Sequence, residues 1–142
     1  MNNHPRHAAL ELGVAEMDDD HARIDALLAH ARVTRPDRLA ELLVAVRAEL
    51  AGHFEREEAL LRQNDFPGLF CHVAQHRMIL ADLDRGAGAP AASLPRLLEV
   101  VIPQLVRSHI ATMDGMAAAF LKGETSAADF EGLRLPTAEA AA

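Results

Sequence analysis

Five histidines and two carboxylates recur at helical spacing through this 142-residue sequence. His53 and Glu57 are four residues apart, as are His72 and His76. On a helix this spacing corresponds to about 40° of rotation and about 6 Å of rise, so both members of a pair reach the same side. Neutral imidazole and carboxylate are ligands for first-row transition metals. We therefore predict one metal site with the ligands His21, His53, Glu57, His72, His76, His109 and Asp114.

The last pair of this set is spaced differently from the others. Asp114 follows His109 by five residues, and an ideal helix would separate them by about 140° around its axis. Either the two side chains approach a metal cluster from opposite sides, or the helix is widened locally by a single π-type turn, as often occurs at functional sites. The sequence leaves both arrangements open.

Proline and glycine divide the chain into four segments of helical periodicity, and no segment shows the pattern of a strand. Turns are expected at TRPD (34–37), NDFPG (64–68) and GAGAPAAS (86–93). Four helices with short connections predict an all-α, antiparallel up-down-up-down four-helix bundle. The expected helices run from the acidic caps Asp18–Asp20 to Val33, from the cap Asp37 to Asn64, from beyond Pro67 to Arg85 with a glycine C-cap, and from the cap Ser93 to Lys122, with a kink at Pro103.

A single domain is expected over residues 1–142, in which the bundle occupies about 18–122. An N-terminal arm (1–17) and a short alanine-rich tail (123–142) flank it. His4 and His7 in the arm are interpreted as surface residues. The tail is expected to pack loosely, because its only apolar anchors are Phe130, Leu133 and Leu135.

Every predicted helix places at least one histidine on its buried face. Alternating steps of three and four residues predict the buried face of the fourth helix to be Leu98, Ile102, Leu105, His109, Met113, Met116 and Phe120. Burying a polar group without a partner costs roughly 2 to 7 kcal/mol, and a lone carboxylate costs far more. Mutual hydrogen bonds would leave five imidazoles short of donors, whereas a metal ion satisfies them directly.

Several nearby residues are predicted to lie outside this site. Glu55 and Glu58 are interpreted as a solvated face, and Phe54 and Phe70 as packing residues. His30 falls about half a turn away from the buried face of the first helix.

The overall composition excludes several classes of partner. Acidic residues outnumber basic ones by 21 to 14, and the resulting net charge of -7 argues against nucleic acid and anionic membranes. The single cysteine, Cys71, cannot form an intrachain disulfide, and no segment has the character of a signal peptide or a membrane span. We expect a soluble, cytoplasmic protein.

From about Leu12 to Phe120 the sequence resembles the hemerythrins, and most of all their single-domain bacterial form. The resemblance lies in LGVAEMDDDH, HFEREEALL, NDFPGLFCHVAQH and HIATMD, in this order on four successive helices. It implies two iron ions bridged by one oxygen, by Glu57 and by Asp114. It further implies that one iron is held by His72, His76 and His109, and that the other is held by His21 and His53 and keeps an open position for dioxygen.

The resemblance also implies the function and the lining of the oxygen pocket. The expected function is reversible dioxygen binding by a carrier, store or delivery protein that is not an enzyme, with an oxygen-receiving partner that the sequence does not identify. Hemerythrins often have a tryptophan where this chain has Leu105, so a roomier pocket and faster autoxidation are expected. By resemblance the apolar lining is Ile24, Leu105, Val106 and Ile110.

Two other functions stay open at this point. One is a sensor of oxygen or redox state, or a di-iron enzyme that acts on peroxide or nitric oxide. An acid–base group in the pocket would support the enzyme, and Thr112 is the nearest candidate for such a group. A metal-free helical interaction module would require the histidines to face water.

Overall fold

The computed structural model describes residues 11–133, and this range contains four long helices and no strands. The helices are α1 (Ala15–Ala29), α2 (Leu39–Gln63), α3 (Leu69–Ala87) and α4 (residues 94–121). Short 3₁₀ turns lie at His30–Val33, Pro36–Arg38, Ala91–Ser93 and Ala127–Leu133. Adjacent helices pack as an up-down bundle, so the predicted fold class is confirmed. Among the described residues, no helix combines the length and the apolar character needed to span a membrane.

The start of α1 differs from the prediction. The helix begins at Ala15, and the carboxylate of Asp18 in its first turn accepts hydrogen bonds from the backbone N–H groups of Leu12 and Gly13 at 2.8 and 3.0 Å. Asp18 therefore holds the chain that enters the helix. Gly13 adopts a φ of 81°, a backbone conformation that favours glycine. Asp20, which was assigned to the same cap, is instead buried in the bundle.

The glycine cap of α3 and the position of Ser93 before α4 agree with the prediction, but neither Asp37 nor Ser93 makes a side-chain capping hydrogen bond. Asp37 lies within the 3₁₀ turn that leads into α2, and Ser93 lies within the one that leads into α4, where its hydroxyl donates to the carbonyl of Pro90 at 2.6 Å. The chain leaves α3 through Gly88 with a φ of −85°, so the glycine cap is right-handed. Backbone hydrogen bonds within the tight turns stabilise these helix ends in place of capping side chains.

Two π-type stretches interrupt α4, at Leu97–Val101 and Ile110–Asp114. The first immediately precedes the segment that contains Pro103, where the proline removes one backbone donor. The second inserts one extra residue into a turn and shifts the buried face beyond it. Asp114, Ala117 and Ala118 are buried, whereas Met116 is 40% exposed and the predicted core positions Met113 and Phe120 are only partly buried.

The apolar core is divided into two clusters. The larger cluster includes Leu50, Ile79 and Ile102, while the smaller one contains Leu61, Phe66, Ala117 and Phe130. Along α2, α3 and α4 the predicted ligands lie between these two clusters. The bundle therefore isolates a polar layer between two apolar ones.

The tail is better anchored than the sequence suggested. Phe130 is 4% exposed, and its ring centroid lies 5.2 Å from that of Phe66 and 6.0 Å from that of Phe120. Phe130 thus serves as the anchor that the sequence predicts, and this part of the tail packs more firmly than expected because its aromatic ring closes the end of the bundle. His4, His7 and Leu135 lie outside the described residues.

Candidate metal centre

The polar layer contains all seven side chains predicted to bind metal. One comes from α1, and two come from each of the other helices. None of the seven is more than 7% exposed. Burial of these groups excludes the alternative in which the histidines face water. The side chains that meet in this layer are His21, His53, Glu57, His72, His76, His109 and Asp114.

These side chains form two overlapping groups of potential ligand atoms, and within each group the atoms lie within 4.8 Å of one another. The five-ligand group consists of Glu57, His72, His76, His109 and Asp114. The four-ligand group consists of His21, His53, Glu57 and Asp114. The two carboxylates belong to both groups, so two neighbouring cations held there would share them.

The two oxygens of Asp114 point to different groups. Its Oδ1 lies 2.9 Å from His109 Nε2 and 3.0 Å from His72 Nε2, while its Oδ2 lies 2.9 Å from His21 Nε2. The contact with His109 depends on the π-type turn Ile110–Asp114, which brings residues five apart onto one side of α4. Of the two arrangements left open by the sequence, the structure shows the widened helix.

Glu57 divides its oxygens in the same way. Its Oε2 lies 3.2 Å from His53 Nε2, in the four-ligand group. Its Oε1 lies 3.4 Å from His76 Nε2 and contacts His72 Nε2, both in the five-ligand group. Each carboxylate is therefore placed as a bridge.

The geometry of these close contacts fits a metal centre better than a hydrogen-bonded cluster. Within the described residues, both oxygens of Asp114, Oε2 of Glu57 and both ring nitrogens of His21 make no hydrogen bond of acceptable geometry, although partners lie near. Buried polar atoms are almost always paired. Lone pairs that converge on a common point instead of on one another are the arrangement that a cation satisfies.

The electrostatics of the layer also suit cations. Burial opposes ionisation of Glu57, but its contacts with His53, His72 and His76 outweigh burial and lower its pKa to about 2. Burial likewise opposes ionisation of Asp114, yet its histidine neighbours hold its pKa well below the usual range. Both carboxylates are therefore anionic at neutral pH and present negative charge to both groups.

Two histidines that contact these carboxylates have pKa values shifted in opposite directions. Burial works against protonation of His72, but contacts with Asp114 and Glu57 raise its pKa to about 9. For His109 burial dominates, and its pKa is lowered. In protein without metal, a proton on His72 therefore takes over part of the role of a cation.

Three further side chains, which sequence reasoning did not assign to the site, hold the outer nitrogens of the histidines. Asp20 Oδ2 lies 3.0 Å from His53 Nδ1, Glu58 Oε1 lies 3.0 Å from His76 Nδ1, and Gln75 Oε1 contacts His109 Nδ1. The interpretation of Glu58 as part of a solvated face is corrected, because its side chain is only 22% exposed. Outer partners of this kind fix ring orientation and tautomer.

A small apolar cavity of about 10 Å³ lies beside His21, His53 and His109. It is lined by three of the predicted pocket residues, Ile24, Val106 and Ile110, and by three that were not predicted, Leu50, Phe54 and Ile79.

Leu105, the fourth predicted pocket residue, does not line this cavity. The buried row of α4 runs Leu98, Ile102, Val106 and Ile110, and Leu105 lies in a separate hollow of about 490 Å³ with Leu83 and Leu97. The expected role of Leu105 in an oxygen pocket remains a prediction, but Leu105 does not contact this cavity.

Of the remaining candidates, Phe54 packs against the site and the others lie apart from it. Phe54 packs as expected, with its ring stacked 3.8 Å from that of His76, but Phe70 is 70% exposed and does not belong to the core. His30 and Cys71 are exposed. Thr112 is exposed too, and its hydroxyl donates to the carbonyl of Ser108 at 2.7 Å, so it offers the cavity no acid–base group.

Comparison with known proteins agrees with this geometry. The sequence model of the hemerythrin HHE cation binding domain matches residues 12–121, a span that contains all seven side chains. The chain belongs to the hemerythrin family. It is 32% identical over 116 residues to a bacteriohemerythrin of Ralstonia nicotianae (strain ATCC BAA-1114 / GMI1000), covering 80% of this chain and 85% of that protein. No solved structure gives a significant match. The predicted hemerythrin resemblance is thus confirmed, and the chain is a hemerythrin-like cation-binding domain with a buried cluster of histidines and carboxylates.

Proposed function

We propose that this hemerythrin binds dioxygen reversibly at a non-haem centre of two iron ions, as a carrier, store or delivery protein. The observation that carries the proposal is the inequality of the two ligand groups, which offer five and four protein side chains around shared carboxylates. Two ions of similar coordination number would leave one more position free at the four-ligand group. That position is where a small exogenous molecule would bind.

The residues present suit iron in this role. His72, His76 and His109 would hold one ion, His21 and His53 would hold the other, and Glu57 and Asp114 would bridge them. When bound, two ferrous ions supply the two electrons that reversible dioxygen binding requires. Five neutral imidazoles with only two carboxylates give less support to highly oxidised iron than the carboxylate-rich sites of ferritin-like bundles, which favours binding over oxygen activation.

The surroundings of the free position favour binding over catalysis. The cavity beside His21 and His53 is walled by Ile24, Leu50, Phe54, Ile79, Val106 and Ile110. These six side chains offer no proton donor or acceptor. The polar groups that also line the cavity, His21, His53, His109 and Asp114, are the proposed ligands, so no further acid–base group is present there for turnover of peroxide or nitric oxide. A cavity of about 10 Å³ is close to the smallest that holds one water molecule. It therefore has room for nothing larger than a very small molecule.

The relative from Ralstonia nicotianae supports this proposal through its name, bacteriohemerythrin. We also propose a cytoplasmic location, supported by the free and exposed thiol of Cys71, which suits a reducing compartment.

Spectroscopy during an oxygen cycle tests this function. Protein loaded with ferrous iron is recorded without oxygen, after addition of air, and again after removal of oxygen under argon. We expect a visible charge-transfer band that appears with oxygen and disappears without it over several cycles. Permanent oxidation on first exposure to air would contradict a carrier or store.

A further inference from the structure

Asp20 is buried beside the candidate site without belonging to either ligand group. It is 4% exposed, and its Oδ2 lies 3.0 Å from Nδ1 of His53. Because a carboxylate only accepts, His53 donates through Nδ1 in this pair. The proton at Nδ1 leaves Nε2 free as the ligand atom, and Nε2 is the atom that faces Glu57 Oε2 at 3.2 Å.

Two arginines hold Asp20 in this position. Arg56 donates from Nε to Oδ2 at 3.0 Å and from its terminal nitrogen to Oδ1 at 3.1 Å, and Arg23 donates to Oδ1 as well. Both arginine side chains are 55% exposed, so they join the buried carboxylate to the surface. A bidentate guanidinium contact fixes the plane of a carboxylate, and with it the direction of the bond to His53.

The outer partners are distributed unequally over the two ligand groups. In the five-ligand group, His76 is held by Glu58 and His109 by Gln75, while Nδ1 of His72 has no hydrogen-bond partner within the described residues. In the four-ligand group, Asp20 holds His53, whereas Nδ1 of His21 has no hydrogen-bond partner within the described residues. Among the described residues, Asp20 is thus the single outer partner of an imidazole in the four-ligand group, whereas the five-ligand group has two such partners.

The same part of the molecule is open to solvent. A hollow of about 450 Å³ between α1 and α2 is lined by Asp19, Asp20, Arg23, Arg56 and the edges of His53 and Glu57, among others. Asp20 and its arginines therefore line this hollow beside the ligands His53 and Glu57. Without Asp20, Nδ1 of His53 would lose its acceptor beside this hollow, and the orientation of the ring would be less well defined.

We propose that Asp20 is a positioning residue that acts through His53 to retain the ion of the four-ligand group. This inference rests on the proposed two-ion function. Without the Asp20 acceptor, the orientation of His53 in the four-ligand group is no longer fixed. The five-ligand group keeps the outer partners of its own histidines. The ion of the four-ligand group is therefore lost first.

Graded removal of metal from Asp20→Ala tests this inference. Wild type, Asp20→Ala and Asp19→Ala are loaded anaerobically with ferrous iron, equilibrated with increasing chelator and assayed for iron per chain. Asp19 is the matched control, because it is the adjacent carboxylate, lines the same hollow and is exposed. We expect Asp20→Ala to fall to about one iron at chelator concentrations about 10- to 100-fold below those needed for wild type and Asp19→Ala.

The variant Asp20→Asn separates orientation from charge. Its amide oxygen still accepts from His53 Nδ1, so we expect it to retain the second ion more tightly than Asp20→Ala. Equal loss in both variants would overturn the positioning role, as would simultaneous loss of both ions or identical behaviour of Asp20→Ala and Asp19→Ala.

Should Asp20→Ala not fold, Asp20→Asn is compared with Asp19→Asn instead. Selective loss of one ion by Asp20→Asn is then the expected result, and equal iron content in the two variants overturns the inference. If wild type itself does not hold two ions, the proposed function has failed before this test applies.

Discussion

Glu57 and Asp114 reach the centre of the bundle from α2 and α4, and each turns one oxygen to one group of histidines and the second oxygen to the other. Asp114 places Oδ1 at 3.0 Å from His72 Nε2 and Oδ2 at 2.9 Å from His21 Nε2. Glu57 places Oε1 at 3.4 Å from His76 Nε2 and Oε2 at 3.2 Å from His53 Nε2. Each of the two carboxylates therefore contacts both the five-ligand group and the four-ligand group.

The shared position of Asp114 predicts that one substitution affects both ions. In Asp114→Ala both ligand groups lose an anionic ligand, so we expect the iron content to fall from two per chain to well below one. The measurement is iron per chain after anaerobic loading and desalting. His30→Ala, which removes an exposed histidine, serves as control and should retain both ions. Retention of one full ion by Asp114→Ala would contradict the bridging position.

The stability of the metal-free protein should fall between about pH 6.5 and pH 9. Asp114 and Glu57 overcome the opposing effect of burial and raise the pKa of His72 from 6.5 to about 9. A group whose pKa is raised on folding stabilises the native state fully below its unfolded pKa, and this contribution disappears as the pH rises through its folded pKa. Denaturant midpoints of metal-free wild type and His72→Gln over this range provide the measurement. A wild-type decline no steeper than that of His72→Gln would count against the charged contact.

The small cavity predicts different effects at two adjacent positions of α4. Val106→Ile adds a methylene to a wall of the 10 Å³ space, so we expect dioxygen affinity to fall by about tenfold. Leu105→Trp enlarges a side chain that lies in the separate hollow, so oxygen affinity and autoxidation rate should stay near wild type. Oxygen titrations followed by the visible band measure both variants. Slower autoxidation in Leu105→Trp would return Leu105 to the oxygen pocket.

The packing of the tail predicts a loss of stability without a loss of metal. Phe130 is 4% exposed against Phe66 and Phe120, so Phe130→Ala should lower the free energy of unfolding by about 3 kcal/mol. Because Phe130 lies in the smaller apolar cluster, iron per chain should remain at two. Urea denaturation and metal analysis measure the two quantities separately. An unchanged midpoint would show that this segment does not contribute to the folded core.

The four helices and the convergence of the seven polar side chains could be predicted from the sequence because both follow from helical periodicity. Residues four apart share a side, and buried polar groups need a common partner. The buried face beyond His109 could not be predicted in this way, since the extra residue of the π-type turn moves it from Met113 and Met116 to Asp114 and Ala117. A fixed period does not reveal such an insertion.

The outer partners were missed for a different reason. Asp20 was interpreted as a helix cap because it ends an acidic run, although its spacing of three from buried Met17 and four from buried Ile24 places it on the inner face of α1. That spacing is the signal that could have identified it. Gln75 and Glu58 are direct neighbours of predicted ligands, and their types carry no independent signal of a hydrogen bond to a ring.

The most direct test of the two-ion centre is the anomalous scattering of iron in crystals of the loaded protein. We expect two iron peaks between the apolar clusters, one beside His72, His76 and His109 and the other beside His21 and His53, each in contact with one oxygen of Glu57 and one of Asp114. A single peak, or two peaks that do not share these carboxylates, would contradict this account.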